Sequence, residues 1–258
     1  MVAAVQNLGW STLRFVEELG NFARFSAGIA GAMVRPPVRF GRYVDEIYKL
    51  GVLSLIIICL CGVTVGAVLG LQGYNTLVRF GAAESLGAVV GLSLIRELAP
   101  VLTALLVTGR AGSATTAEIG TMVVTEQLDG LRMMSVDPIH YVVTPKALAM
   151  VTVMPLLAGL FTVFGIFGGY LIGVRVMGLD PGRYMSSLQD AVDFSDDVAG
   201  SLVKALVFGI LVALISTHRG YTTAPTSAGV SSATTSTVVI GSVSILVFDY
   251  VITALWGV

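Results

Sequence analysis

Five stretches of the chain stay apolar long enough to cross hydrocarbon, and the polar residues gather between them. They cover about residues 50–71, 86–107, 147–174, 202–217 and 238–256. Some 20 helical residues span the ~30 Å core of a bilayer, so each stretch predicts one transmembrane helix. The third is long enough to tilt or protrude. Lipid offers no hydrogen bonds, and a helix satisfies its own backbone. The expected fold is therefore an all-α integral membrane protein with five transmembrane helices.

Residues 1–49 follow a different rhythm. Leu13, Val16, Leu19, Phe22 and Phe25 recur at near-helical spacing, with Arg14, Glu17, Glu18, Asn21 and Arg24 on the other face. This predicts an N-terminal interfacial amphipathic helix along the membrane surface; a helix packed on a partner protein fits the same pattern. Pro36-Pro37 then turns the chain, and Arg35, Arg39, Arg42 and Lys49 precede the first span. The expected division is an interfacial segment, 1–49, and a transmembrane domain, 50–258.

Composition supports a lipid solvent: 55% of the 258 residues are hydrophobic and 12% charged, with mean hydropathy +0.88, whereas soluble domains are roughly a quarter charged. A net charge of −1 offers no basic excess for nucleic acid. The basic residues matter by position. Threading the spans from an inside N-terminus places ten of the fifteen Lys and Arg inside, three outside (Arg79, Arg175, Arg183) and two within spans. That asymmetry predicts a cytoplasmic N-terminus and a periplasmic C-terminus. No cleavable signal peptide is recognisable at the start. Cys59 and Cys61 sit two apart in an apolar helix and do not face each other, so neither a disulfide nor a metal pair is expected.

Glycines recur every four residues in span one (Gly62, Gly66, Gly70) and span three (Gly165, Gly169, Gly173), marking faces for close helix packing. Between spans three and four, Asp180, Asp190, Asp193, Asp196 and Asp197 make an acidic outer segment. Its residues 181–192 could form a short surface helix, and the whole reads either as a solvated loop or as a docking surface.

Four ionisable residues fall within spans: Arg96 and Glu97 near the middle of span two, Lys204 near the outer end of span four, and Asp249 in span five. A charge at mid-bilayer costs about 2.5–3.5 kcal/mol on insertion scales, so it should face protein or a wet cavity. Pro100 deprives the Arg96 carbonyl of its helical donor and predicts a kink beside the charges. The pair therefore reads as a cavity site, or as a clamp between helices. Lys204 and Asp249 are weaker candidates, because a lysine near a span end can snorkel to the interface.

The segment from Arg110 to Lys146 reads as a structured cytoplasmic loop. Glu118, Met122, Thr125 or Glu126, and Asp129 recur every three or four residues, predicting an amphipathic helix over 118–131 that offers acids to a partner or packs on its own bundle. No G-x-x-x-x-G-K-[ST] phosphate loop, HExxH or G-x-S-x-G is present, so the chain is neither an ATPase, a zinc protease nor a serine hydrolase of those types. No catalytic residue, cofactor or metal is expected in it.

The run SLIRELAPVLTALLVTGRAGSATTAEIGTMVVTEQLDGLRMMSVDPIHYVVTPKALA, residues 93–149, and GYTTAPTSAGVSSATTSTVV, residues 220–239, closely resemble the MlaE (also called YrbE) permease family. The resemblance extends over essentially the whole chain. It implies a homodimeric permease in the inner membrane of Gram-negative bacteria, working with two cytoplasmic ABC ATPase subunits that bind ATP and Mg, a STAS-domain protein, and a periplasmic MCE-domain hexamer. The family's dimer encloses a phospholipid-sized cavity. Arg96, Glu97 and Lys204 match its polar cavity positions, and the 118–131 region, with Glu118, Met122, Glu126 and Asp129, resembles its ATPase-coupling helix. Arg96 and Lys204 could both contact a lipid phosphate. The function implied is phospholipid transport that maintains outer-membrane lipid asymmetry. The rival reading from the residues alone is an ion-coupled secondary carrier titrating Glu97 and Asp249.

Overall fold

The structure is a computed structural model that describes residues 2–34 and 40–256. The turn at Pro36-Pro37, together with Arg35 and Arg39, lies outside the described residues, as does the side chain of Arg14. All regular elements among the described residues are helical. In chain order they are α1 (Val2–Val34), α2 (Phe40–Leu50), α3 (Leu55–Arg79), α4 (Leu86–Ser93), α5 (Ala99–Val107), α6 (Ser113–Val124), α7 (Gln127–Met133), α8 (Thr144–Tyr170), α9 (Pro181–Ala191), α10 (Ala199–Tyr221) and α11 (Ser227–Trp256).

Five continuous helical runs are long and apolar enough to cross a membrane: Phe40–Arg79, Ala83–Val124, Ile139–Val176, Phe194–Tyr221 and Ser227–Leu255. They are the five predicted spans, but most are much longer. The second has 42 residues and, at 1.5 Å per residue, is about 63 Å long, twice a hydrocarbon core. Its last turns carry Arg110 and Glu118, which the sequence assigns to a structured segment beyond the span, with Glu118 starting a separate helix over 118–131. Hydropathy senses only the part of a helix that lies in lipid, and so it ended the span early.

Span three is the centre of the bundle. α8 packs against α3 on one side and α10 on the other, while α10 also carries α6 and α11. The glycine ladders explain the first contact. A Cβ built on Gly66 would collide with the Gly165 carbonyl, and one on Gly168 with Val63; Gly62 and Gly70 face Phe161 and Gly169 in the same way. Only bare backbones can approach this closely. The apolar stretches of spans one and five are the least buried, 22% and 11% against 44% in the other three. On α11, Val239, Val243, Leu246, Val247 and Tyr250 form one exposed stripe, whereas Ala233, Thr237, Gly241 and Ile245 face inward.

α9 caps one end of the bundle. Asp180 caps its first turn by accepting from the Arg183 amide, and Tyr184 inserts fully buried beside Gly87, Gly169 and Gly173. The expected short helix is present, and it docks on the start of α4 instead of floating in solvent. At the opposite end, the second half of α1 buries Phe25 and Ile29, with Phe25 against His218 and Tyr221 of α10. Trp10, Leu13, Val16 and Leu19 remain exposed along the first half.

Candidate functional site

Span two is interrupted by a wide, π-type turn at Leu94–Leu98, immediately before Pro100. A proline lacks the amide that closes the normal helical turn and its ring crowds the carbonyl four residues back, so a widened turn is a physical solution. That turn points Arg96 and Glu97 toward α10, α11 and the connector ahead of α10.

The two side chains do not pair with each other. Arg96 donates from Nε to Asp197 Oδ1 at 2.6 Å. Asp197 is buried, and its Oδ2 accepts from the Asp193 amide at 2.9 Å. Glu97 Oε1 accepts from Lys204 Nζ at 2.8 Å. Lys204 also donates to the Arg96 carbonyl at 3.0 Å and to Thr253 Oγ1 at 2.8 Å, and Thr253 in turn donates to Glu97 at 3.2 Å. Asp249 lies 3.6 Å from the same ammonium. Lys204 therefore reaches the carbonyl that Pro100 deprived of its donor.

Two expectations change here. Lys204 does not snorkel: its side chain is 8% exposed, because three oxygens inside the bundle satisfy its three N–H groups. Asp197 is no part of a solvated loop, since a desolvated carboxylate at this position is held by Arg96. By contrast, the Arg96 side chain is 39% exposed, and among the described residues it bonds through Nε alone, leaving its terminal amines open. A cavity of about 20 Å³ opens beside Arg96, Glu97, Asp197, Lys204 and Thr253. It holds roughly one water molecule. That volume is far too small for a lipid.

The helix expected over 118–131 is broken. α6 ends at Val124, Glu126 adopts a left-handed φ of 58°, and α7 sets off in a new direction. Glu118, Met122, Glu126 and Asp129 consequently do not share one face. Glu118 turns back to Lys146 at 2.7 Å, Met122 packs half-buried on the core, Glu126 is exposed, and Asp129 pairs with Arg132 at 2.6 Å. Leu128 anchors α7, while Met133 and Met134 are exposed at its tip. Sequence reasoning missed Glu46, which joins Lys146 at 2.8 Å; its near-helical place beside Lys49 was the available signal. Among the described residues, no three His, Cys, Asp or Glu side chains are grouped to hold a metal.

Comparison with known proteins places the whole chain. Residues 43–255 match the family described as Permease MlaE. The chain is 46% identical over 257 residues to the "Intermembrane phospholipid transport system permease protein MlaE" of Haemophilus influenzae, covering 99% of this chain and 98% of that one. It is 41% identical over 250 residues to a "Probable ABC transporter permease protein" of Rickettsia bellii, covering 97% and 96%. It is 31% identical over 245 residues to the chloroplastic protein TRIGALACTOSYLDIACYLGLYCEROL 1 of Arabidopsis thaliana, covering 95% and 70%.

Proposed function

The chain belongs to the MlaE permease family, and on that premise we propose that it is the permease subunit of an ABC transporter moving phospholipid between a bacterial inner membrane and a periplasmic MCE-domain carrier. In this reading two copies face each other across the poorly buried spans one and five. Their apolar faces enclose the acyl chains, and the charged cluster receives the headgroup. Separate cytoplasmic ATPase subunits, with a STAS-domain protein beside them, drive movement through the α6–α7 end, so the chain itself catalyses nothing. The distribution of basic residues puts that end and the N-terminus in the cytoplasm and the C-terminus in the periplasm. Net movement across this system maintains outer-membrane lipid asymmetry.

The observation that carries the reading is the division of labour around Arg96. Lys204 has no N–H left to offer. The Arg96 guanidinium keeps its terminal amines for a ligand, and its planar fork suits phosphate oxygens. The rival ion-coupled carrier is disfavoured because Glu97 and Asp249 both lean on Lys204 and because the relatives are named as permeases of ABC and phospholipid systems.

The test is phospholipid retained per assembled complex, together with ATP-dependent transfer to the carrier. Arg96→Ala strands Asp197, so it is paired with Asp197→Asn. The double variant should assemble, keep its ATPase and lose bound lipid. Wild-type lipid content and transfer in that variant would remove Arg96 from the site.

A further inference from the structure

The end of the bundle that carries α7 holds a second ionic cluster. Lys146, at the start of α8, is 3% exposed. Its ammonium lies 2.8 Å from Glu46 Oε1 on α2 and 2.7 Å from Glu118 Oε2 on α6. These carboxylates are distant in sequence and belong to two different spans. Lys49 sits outside them at 3.8 and 3.9 Å, and the second Glu46 oxygen is buried without a hydrogen bond. Arg110 adds a parallel tie from span two to the junction ahead of α3, donating to the Lys49 carbonyl at 2.7 Å and to Ser54 Oγ at 3.0 Å.

A lysine this deeply buried has no water to replace a lost carboxylate, so separating either partner strands charge. α6 leads through the left-handed Glu126 into α7, and α2 leads through one short turn into α3. Lys146 therefore joins the α6 end of span two to the root of span one. We propose that Lys146 is a positioning residue, an ionic joint that makes span one follow displacement of the α6–α7 end, so that ATP hydrolysis at that end moves the lipid-facing wall.

The proposal rests on the reading of the chain as an ATPase-driven lipid permease. Glu46–Lys146–Glu118 is a link in series. Breaking it at one place or two gives the same loss of transmission, whereas a contact that only stabilised the fold would change folded yield and leave transfer per ATP unchanged. The experiment uses the full transporter reconstituted in lipid bilayers with its ATPase, and reads folded yield, ATPase rate and phospholipid transferred per ATP. Lys146→Gln leaves two carboxylates facing each other and should reduce both yield and transfer. Glu46→Gln/Lys146→Gln removes the stranded charge from the interior, since Glu118 is 41% exposed and keeps Lys49 nearby.

In that double variant yield and ATPase rate should recover while transfer per ATP stays down about fivefold or more, the lower end of measured site-to-site couplings. Glu46→Gln alone, which leaves Lys146 paired with Glu118, should show the same deficit. Recovery of transfer per ATP along with yield, or wild-type transfer in Glu46→Gln, would overturn the joint. Absence of ATP-dependent transfer with the wild-type chain would instead overturn the functional reading on which it stands.

Discussion

Replacing Lys204 by methionine gives the sharpest test of how the mid-span cluster is held. Methionine fills a similar volume and removes three donors at once. Glu97 and Asp249 then face each other without a cation, and the Arg96 carbonyl and Thr253 hydroxyl lose their donor. Removing one partner of a buried ion pair costs about 3–5 kcal/mol, roughly two to three and a half decades in the folded fraction. On the scale of soluble domains of comparable size, that lowers the melting midpoint by roughly 6–20 °C. Heating the detergent-solubilised protein and recovering the folded species by size-exclusion chromatography measures it. Adding Glu97→Gln and Asp249→Asn removes the stranded charges and should restore most of the midpoint. An unchanged midpoint in Lys204→Met, or no recovery in the triple variant, would refute the assignment of Lys204 as an internal clamp.

Gly66→Leu should abolish folded protein, because its Cβ meets the Gly165 backbone, while Gly159→Ala, with nothing within 4 Å of its Cβ, should be silent in the same yield assay. Burial pushes the Tyr184 phenol up to about 12 from 10.0; the neutral form is favoured in the fold, so this stabilisation is full below pH 10 and is lost as pH rises toward 12. Protease cleavage within α9 should increase over that window, and Tyr184→Phe should remove the pH dependence. Met133→Asp/Met134→Asp, at exposed positions on the α7 tip, should reduce co-purification of the ATPase without changing membrane insertion. A reporter after Val258 should read periplasmic and one inserted at Asp137 cytoplasmic; both on one side would break the five-span topology.

What the sequence made legible follows from the solvent it implies. Hydrocarbon forbids unpaired backbone, so the five spans stand out, and it makes Arg96 and Glu97 conspicuous beside Pro100. Small residues every four positions foretell the α3–α8 contact. The chain's hydropathy stops at the lipid boundary, however, and so hides the extra turns that carry Arg110 and Glu118. The left-handed Glu126 has no glycine to announce it. Partners were the least legible feature, because a lone charge in an apolar run demands a counter-charge without naming it: Arg96 found Asp197, 101 residues away, in a segment whose acidity alone suggested water. That pairing alters the electrostatics of the proposed site. The four span charges cancel, but Asp197 makes three carboxylates face two cations. A lipid phosphate at Arg96 must therefore share the guanidinium with Asp197 and cannot bind as it would to an unopposed cation. For a carrier that competition is useful, because a group that must be passed on has to be held weakly enough to leave.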